Sequence, residues 1–505
     1  MANNEISFLG IIAEIVGFFK RRRARRRFLR RVEDANDERR RVIPYNPAPI
    51  EAYVSRSGCE NIVVSGDNDE LRGRLVCAAA YNAHRNNRPV IVLHDGNREL
   101  IERMEEAFEN DQSFYQINEN NKIYNPFAGR NSREVSDFIV STAGTGNSML
   151  NRSSVVFIDA ITLYLETRGI PLTLSAYIDC IKNREYDQIT DLARAGLFPE
   201  NIALLIANRI RDARADVGSV DAYFGRLETE LYTILAPVST TGVSIKNAIA
   251  RNGVVMVDVS SNSSNMLNII IQEIKDLISK GQSLSLMLES ISIDENEAVA
   301  RELRNLSSKC NFVYSAQDVY AGAQGNERLI TTMVGKSNVY ALHHSSGLSA
   351  EQFSRYFGEY DKLEVSENYH EGSNMPSFGS GLPGSNYGNG IGTQHERRRK
   401  VEENDINDLG RNQAYIKLIG ASDIISASFR EGNCMIEYEA PQRAERRRNR
   451  DPINWLLFTF LIIWSPPLGL IYLMVKSQSR RTKIICGVIL GALVIASIVF
   501  SIVYG

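Results

Sequence analysis

The stretch Asn61–Gly73, NIVVSGDNDELRG, constrains the fold of this chain more than any other. A short apolar run ends at Ser65-Gly66, a polar loop follows, and helical spacing begins near Glu70. Strand, glycine turn and helix in this order form a phosphate-binding loop, in which backbone N–H groups and the helix N-terminus face an anion. The sequence therefore predicts the first strand and helix of a nucleotide-binding α/β core.

The side chains of this loop depart from the pattern G-x-x-x-x-G-K-[ST]. Counted from Gly66, the lysine position holds Arg72 and the serine or threonine position holds Gly73. The loop also carries Asp67 and two further carboxylates, which repel a triphosphate. We therefore expect a degenerate nucleotide site, with Gly66, Asp67, Arg72 and Gly73 at the cofactor-binding positions.

Further apolar runs alternate with helical stretches, which favours a parallel sheet covered on both faces. The helix predicted after the second strand is Arg98–Glu109, and another is predicted at Glu295–Ser308. Between Leu163 and about Pro237 the pattern is helical throughout, which predicts an inserted all-helical subdomain. The predicted strands after the first are Pro89–Asp95, Ser113–Ile117, Ser154–Asp159, Gly253–Asp258, Ser285–Glu289, Asn311–Ser315 and Asn338–Leu342.

Several predicted strands end in a carboxylate. Asp95, Asp159 and Asp258 follow apolar runs, and the carboxyl ends of strands in open α/β sheets face the ligand crevice. A capping or turn role is the ordinary alternative for each of these three residues.

Glu289 ends the strand at which an ATPase carries its acid pair. It would replace the aspartate that directs Mg²⁺, and Ser290 would replace the glutamate that activates water. A glutamate can still reach a metal, but a serine cannot act as the general base. Glu289 is therefore a candidate catalytic residue, and a buried, hydrogen-bonded glutamate is the structural alternative.

Other motifs predict no site. Gly335-Lys336-Ser337 lies between a helix and a strand, so it lacks the strand–loop–helix context of a phosphate-binding loop. His343-His344 has no partners at metal-ligand spacing and is expected to pack locally. The six cysteines are scattered, which predicts reduced thiols and no metal site.

The two ends of the chain carry membrane signals. Residues 5–19 are apolar, and nine of the twelve residues Lys20–Arg31 are basic, as in an interfacial helix on an anionic leaflet. A disordered tail, a helix docked on protein and a nucleic-acid arm are the alternatives. Trp455–Val475 and Ile484–Tyr504 are long enough to span a bilayer. The basic flanks and paired prolines of the first segment predict that it is re-entrant and that only the second crosses.

Composition and breaks in the pattern give the domain division. The net charge is −2, but both termini are basic, so the middle is acidic and is a poor nonspecific DNA surface. Prolines near residue 44 mark a linker, Tyr369–Gln394 reads as a flexible tether, and a last strand pair ends near Glu439. The predicted parts are a helix with a basic arm (1–41), a core (42–162 and 238–440) with an all-α insertion (163–237) and a flexible loop (369–394), and membrane segments (441–505).

The order of these motifs resembles the TraG/TraD-type conjugative coupling proteins, within the FtsK/HerA branch of RecA-like ATPases. The likeness covers roughly residues 50–440 and is carried by NIVVSGDNDELRG, PVIVLHDGNREL, the turn Asn125-Pro126-Phe127, SLMLES, CNFVYSAQDVY and ERRRKVEENDINDLGRNQAYIKL. It implies a RecA-like fold, an oligomer at a membrane, and ATP with Mg²⁺ as ligands wherever the divergent site still binds. It also implies a nucleotide-sensing role for Gln317, which joins Glu289 as a candidate catalytic residue.

These features together predict a membrane-anchored pseudo-ATPase with a cytoplasmic body. It would act as a scaffold or recruiting subunit in a conjugative DNA transfer or type IV secretion-like system. Its partners would be proteins of that system, and the sequence leaves open whether the transferred cargo is DNA or protein. Two alternatives remain at this stage. One is an active hexameric DNA-translocating ATPase with divergent motifs, and the other is an inactive subunit that completes a ring with an active paralogue.

Overall fold

A computed structural model describes residues 8–45, 47–54, 60–143, 150–237, 240–260, 264–291, 302, 305–323, 327–345, 347–372 and 386–430. The described strands, β1 to β12, are Val42–Pro44, Ile62–Ser65, Val90–His94, Phe114–Ile117, Val254–Asp258, Ser285–Glu289, Asn311–Ala316, Asn338–Ala341, Glu359–Gly372, Asn386–Arg399, Gln413–Lys417 and Ile424–Ser428. The described helices, α1 to α14, are Phe8–Arg40, Asp69–Arg85, Arg98–Phe108, Ser132–Ala143, Arg152–Thr167, Leu174–Lys182, Ile189–Arg194, Glu200–Asp212, Val217–Leu231, Ile245–Ala250, Ser264–Ser279, Glu327–Val334, Leu348–Phe357 and Glu403–Asn407.

Ten of these strands form one sheet in the order β1-β12-β11-β8-β2-β7-β6-β3-β5-β4. All pairs from β8 through β2 to β4 are parallel, and β11 pairs antiparallel with both of its neighbours. The α/β class with a mostly parallel sheet is thus confirmed. The strand β2, which carries the glycine turn, lies between β8 and β7 near the middle of the sheet.

Alternate residues of the central strands enter two separate apolar layers. Val63 and Ile91 point into a core shared with the helices of the central part of the chain, whereas Val64 and Val92 point into a core shared with α2 and α3. Because side chains alternate across a strand, a sheet covered on both faces reads as a continuous apolar run. The runs at β2, β3, β5, β6, β7 and β8 were therefore predictable from sequence.

The strand predicted at Ser154–Asp159 is wrong, because this segment lies inside α5. Asn151 caps that helix, with the side chain and backbone of Ser154 as its reciprocal partners in a capping box. Phe157 and Ile161 are both buried at helical spacing. The β-branched residues favoured a strand, but packing of this face decides the structure. Helices accordingly run from Ser132, not from Leu163, to Leu231.

The flexible tether predicted at Tyr369–Gln394 is wrong over its described residues. β9 and β10 pair antiparallel, from Glu359 opposite Arg399 to Gly372 opposite Asn386, and form a separate two-stranded ribbon. Glycine and asparagine disfavour strands, but fourteen paired positions on each strand supply a regular hydrogen-bond ladder. Residues 373–385 lie outside the described part.

The last described strand ends at Ser428, and residues 431–439, over which the predicted strand pair would continue, lie outside the described part. Most of the helix predicted at Glu295–Ser308, and both C-terminal apolar segments, lie outside the described residues. Within the described residues, no helix is long and apolar enough to cross a membrane. Gly335-Lys336-Ser337 forms the turn between α12 and β8, so the rejection of this tripeptide as a phosphate-binding loop is confirmed.

Candidate functional site

The predicted strand–glycine–helix unit is present at the centre of the sheet. β2 ends at Ser65, and α2 begins at Asp69 after Asn68, whose side chain accepts a hydrogen bond from the Leu71 amide. Gly66 has φ +152°, and a Cβ on it would clash with Leu342 and lie 2.9 Å from the carbonyl oxygen of His343. Glycine is required there because the loop after β8 lies directly against the turn.

Arg72 fills the space behind this turn. Its guanidinium donates from Nη1 to the Gly66 carbonyl oxygen at 2.6 Å and from Nη2 to Ser290 Oγ at 3.1 Å. It also pairs with Asp69 at 2.6 Å and, through Nε, with Glu289 Oε1 at 3.1 Å. The Arg72 side chain is only 3% exposed. The guanidinium at the lysine position of the motif is therefore paired with one carbonyl group and two carboxylates of the protein itself.

Glu289 lies at the end of β6, as predicted, and its side chain is fully buried. Oε1 accepts hydrogen bonds from Arg72, from Asn97 Nδ2 at 2.8 Å and from Ser290 Oγ at 3.1 Å. Oε2 is buried without a hydrogen-bond partner among the described residues. Ser290 adopts φ +59°, which is uncommon for a residue with a side chain. One carboxylate oxygen is thus saturated and the other is not.

Gly73 brings α2 into close contact with α3. A Cβ on Gly73 would lie 2.8 Å from the Leu100 amide nitrogen and 3.2 Å from its Cα. Asn97 caps α3, since its Oδ1 accepts from the Leu100 amide while its Nδ2 holds Glu289. The hydroxyl position of the phosphate-loop pattern is therefore occupied by the packed N-terminus of a neighbouring helix.

Asp67 joins the glycine turn to two neighbouring loops. Its Oδ1 accepts from Gln317 Nε2 at 3.2 Å and its Oδ2 from the Ser345 amide at 2.6 Å. Partial burial would raise the pKa of Asp67, but the hydrogen bonds from Ser345 and Gln317 bring it below its ordinary value. The Asp67 amide donates to the His343 carbonyl oxygen at 2.9 Å. The Asp67 amide and the exposed side chain of the candidate Gln317 are therefore both already hydrogen-bonded to the protein's own atoms.

The open side of this region is acidic. A cleft of about 560 Å³ is lined by five carboxylates and one guanidinium, those of Asp69, Glu70, Asp95, Glu99, Glu102 and Arg98. Burial and the nearby Asp258 raise the pKa of Asp95. Such a lining disfavours a polyphosphate by repulsion. Asp95 and Asp258 follow neighbouring strands at this edge, whereas Asp159 lies on α5 and accepts from Ser136 instead.

The residues present do not fit ATP with Mg²⁺. The guanidinium of Arg72, which stands at the lysine position of the motif, is paired with groups of the protein itself. The Asp67 amide already donates a hydrogen bond, and the acidic cleft repels anions. Among the described residues, no cluster of histidine, cysteine and carboxylate side chains could hold a metal ion. His344 packs near Phe353, its two ring nitrogens lack hydrogen-bond partners in the described part of the chain, and burial lowers its pKa.

Sequence reasoning missed Asn97 and the inward direction of Arg72. Asn97 follows β3 and precedes an amphipathic helix, so its N-cap role was readable from the chain. Its contact with Glu289, 192 positions away, was not. Arg72 was treated as a phosphate ligand, because sequence does not say which carboxylate a buried guanidinium meets.

No protein-family model and no curated protein matches the chain. Among solved structures, it is similar to the bacterial conjugative coupling protein TrwBΔN70 in an unbound form, with TM-score 0.41 and 13% identity over 77% of this chain and 86% of that one. It is also similar to TrwB in complex with ADP and Mg²⁺, with TM-score 0.40 and 12% identity over 77% and 88%. A third match is VirB4 of Thermoanaerobacter pseudethanolicus, with TM-score 0.37 and 12% identity over 77% and 96%. In structure, the chain is thus similar to the conjugative coupling protein TrwB and to VirB4, at 12–13% sequence identity.

Proposed function

We propose that this protein is a coupling-protein-like pseudo-ATPase, which acts as a scaffold or recruiting subunit of a membrane-associated transfer or secretion system. The single observation that carries the proposal is the buried pair of Arg72 and Glu289, 3.1 Å apart. The cation that would bind phosphate neutralises the carboxylate that would direct a metal ion. Each group cancels the other's charge, so neither is left for a nucleotide.

The close packing of Gly73 on Leu100 supports the same proposal. In a phosphate-binding loop a serine or threonine at this position holds Mg²⁺. A side chain here would push against the backbone of α3, so the packing of two helices opposes a return of the motif. The ten-stranded sheet is retained, and a scaffold role would use its covering surfaces to contact partner subunits.

The body would lie under a membrane, held by the C-terminal apolar segments, with the described residues on the cytoplasmic side. Protein components of the transfer or secretion complex would be its partners, and DNA would reach it through them. Assembly into a homo-oligomer or a mixed ring follows from the same role, since a scaffold at a channel must match the channel's symmetry.

An active ATPase is the second candidate, and one observation favours it. Glu289 Oε2 is buried and has no hydrogen-bond partner among the described residues. A carboxylate oxygen that binds a metal ion would have this environment when the ion is not bound. In that case nucleotide would have to displace Arg72 from Glu289. A dead subunit in a ring with an active paralogue is the third candidate, and the same Arg72–Glu289 pair supports it.

ATP hydrolysis by the purified full chain separates these candidates. We expect no Mg²⁺-dependent phosphate release, with or without DNA, and no gain from the double change Arg72→Lys and Gly73→Thr. Hydrolysis lost in Glu289→Gln would contradict the proposal and favour the active enzyme. Co-purification with a homologue that has intact nucleotide motifs, and hydrolysis only by the mixed complex, would favour the inactive ring subunit.

A further inference from the structure

The first helix carries the strongest local charge of the described chain, and the nucleotide site does not use it. α1 is continuous from Phe8 to Arg40, so it joins an apolar N-terminal part to the basic block. Arg22, Arg23, Arg26 and Arg27 are all exposed. Four guanidinium groups within two helical turns repel one another unless an anionic surface neutralises them.

The C-terminal part of α1 is fixed to the rest of the protein. The Asn36 side chain exchanges two hydrogen bonds with the backbone of Leu363 on β9, at 2.9 and 2.6 Å. Arg40 donates to the Lys400 carbonyl oxygen at 2.5 Å and pairs with Asp405 at 2.7 Å. Because a helix rises 1.5 Å per residue, the exposed arginines lie about 13–21 Å along the axis from Asn36. α1 is therefore an anchored arm that holds its charges at a set distance from the ribbon.

Helical spacing aligns one row of apolar positions in α1 with arginines of the basic block. Positions 8, 12, 15 and 19 are Phe, Ile, Ile and Phe, and the same row continues through the arginines at 22 and 26. The row thus changes from apolar to cationic along the axis, and its exposed arginines precede the part of α1 that contacts the body.

We propose that this row of α1 binds an anionic phospholipid surface, with the apolar turns in the acyl boundary and the guanidinium groups on lipid phosphates. The twelve residues from Phe8 to Phe19 are about 18 Å long, which is shorter than the bilayer core, so this part enters one leaflet without crossing. Arginine stems can follow the apolar surface while their heads reach phosphate. A nucleic-acid arm would use the cations but leave the adjoining apolar turns in water, which disfavours that partner.

Hydrogen exchange of the full chain in vesicles tests this proposal. Vesicles of phosphatidylcholine alone are compared with vesicles that also contain phosphatidylglycerol, and exchange is read on peptides from residues 8–31. We expect slower exchange there in the anionic vesicles and recovery at high salt. Exchange is resolved by segment, so the C-terminal apolar segments do not mask the result.

A fourfold variant and a matched control sharpen the test. Changing Arg22, Arg23, Arg26 and Arg27 to Gln should reduce the lipid-dependent protection at least roughly tenfold, because each basic residue near an anionic surface strengthens binding severalfold. Changing the exposed Arg168, Arg194, Arg211 and Arg214 to Gln removes the same charge elsewhere and should leave the protection unchanged.

Equal exchange in both kinds of vesicle would overturn the proposal. So would protection of residues 8–31 by duplex DNA in neutral vesicles without any effect of phosphatidylglycerol, since α1 would then be a nucleic-acid arm. These outcomes do not depend on ATP hydrolysis, so this proposal and the proposed function can fail separately.

Discussion

Two of the arginine–glutamate pairs in the described part of the chain are almost fully buried, and they differ in how completely their atoms are hydrogen-bonded. Arg130 pairs with Glu273 at 3.2 Å and Arg72 pairs with Glu289 at 3.1 Å, with all four side chains no more than 3% exposed. Ion pairs at this depth cost several kcal/mol per ion in lost hydration unless every polar atom finds a partner. The two pairs meet this requirement to different degrees.

The Arg130–Glu273 pair is saturated. Glu273 Oε2 accepts from the Tyr124 hydroxyl at 2.8 Å, and Oε1 accepts from Arg130 and from the Lys246 amide. Arg130 also donates to the Pro126 carbonyl oxygen and pairs with Asp276. Burial raises the pKa of Glu273, while Arg130 and Tyr124 favour its charged form. This network joins the turn before α4 to α11, so it acts as a structural joint.

The Arg72–Glu289 pair is incomplete, because Glu289 Oε2 has no partner in the described part of the chain. It also lies at the carboxyl ends of parallel strands, where α/β folds place their ligands. The contrast separates two kinds of buried ion pair. The saturated pair joins structural elements, whereas the unsaturated pair lies at the strand ends where α/β folds bind ligands and leaves one carboxylate oxygen without a partner among the described residues.

Removing each arginine should give the largest difference between the two pairs. Arg130→Met should destabilise the protein by about 3–5 kcal/mol, because it leaves a buried carboxylate without its cation. Arg72→Met should cost less, since its second carboxylate partner, Asp69, is 71% exposed and is hydrated once the guanidinium is gone, whereas Asp276, the second partner of Arg130, is only 23% exposed. Urea unfolding with a common slope measures both changes. Equal losses of stability would mean that the Arg130–Glu273 and Arg72–Glu289 pairs do not differ in their structural contribution.

Adding a methyl group at Gly73 should destabilise the protein less than removing the guanidinium of Arg130. Gly73→Ala should destabilise the protein by about 1–3 kcal/mol, since the added Cβ meets the Leu100 backbone. Gly225→Ala is the matched control, because Gly225 lies in α9 with open space around it. The control should be neutral or stabilising by up to ~1 kcal/mol. Loss of stability in the control alone would contradict close packing at Gly73.

A double-mutant cycle sharpens the meaning of the incomplete pair. Arg72→Met and Glu289→Leu together should be less destabilising than the sum of the single changes, by about 1–3 kcal/mol, because the double variant leaves no unpaired buried charge. The free energies of unfolding of the four proteins give this coupling. An additive result would mean that the two charges do not depend on each other.

The smallest expected effect is a pH dependence at His344, beside the closed turn. Burial lowers the pKa of His344 below its ordinary value of 6.5, although the carboxylates of Asp318 and Asp67 oppose this. The unfolded state therefore binds more protons below about pH 6.5, so stability falls as the pH drops from 6.5 toward the lowered pKa of the folded state. In His344→Phe this part of the acid dependence should disappear, as unfolding midpoints at pH 7 and pH 5.5 would show. An unchanged dependence would assign it to other groups.

The parallel sheet was predictable because its strands are buried on both faces and read as short apolar runs. β6 and the glycine turn at Gly66 were placed to the residue for this reason. α5 was not, because Val155, Val156 and Ile158 favour a strand when packing is unknown. The ribbon of β9 and β10 was missed since its stability comes from cross-strand pairing and not from residue preference.

The candidate site was only partly predictable, for a related reason. The positions of Arg72, Gly73 and Glu289 follow from the order of motifs along the chain. The 217-residue separation between Arg72 and Glu289, and the contact of Gly73 with α3, are tertiary facts. The sequence indicates that the nucleotide motif departs from its usual pattern. The structure adds that two of the replacing residues, Arg72 and Glu289, form an ion pair.

Direct titration of nucleotide tests the central claim, that Arg72 and Glu289 close the site. Calorimetry of the purified full chain with ATP, in the presence and absence of Mg²⁺, should give no saturable binding. Arg130 variants are unsuitable as controls because they disturb the joint, whereas Glu289→Gln probes the closed site itself. Saturable, Mg²⁺-dependent binding that is lost in Glu289→Gln would contradict the account.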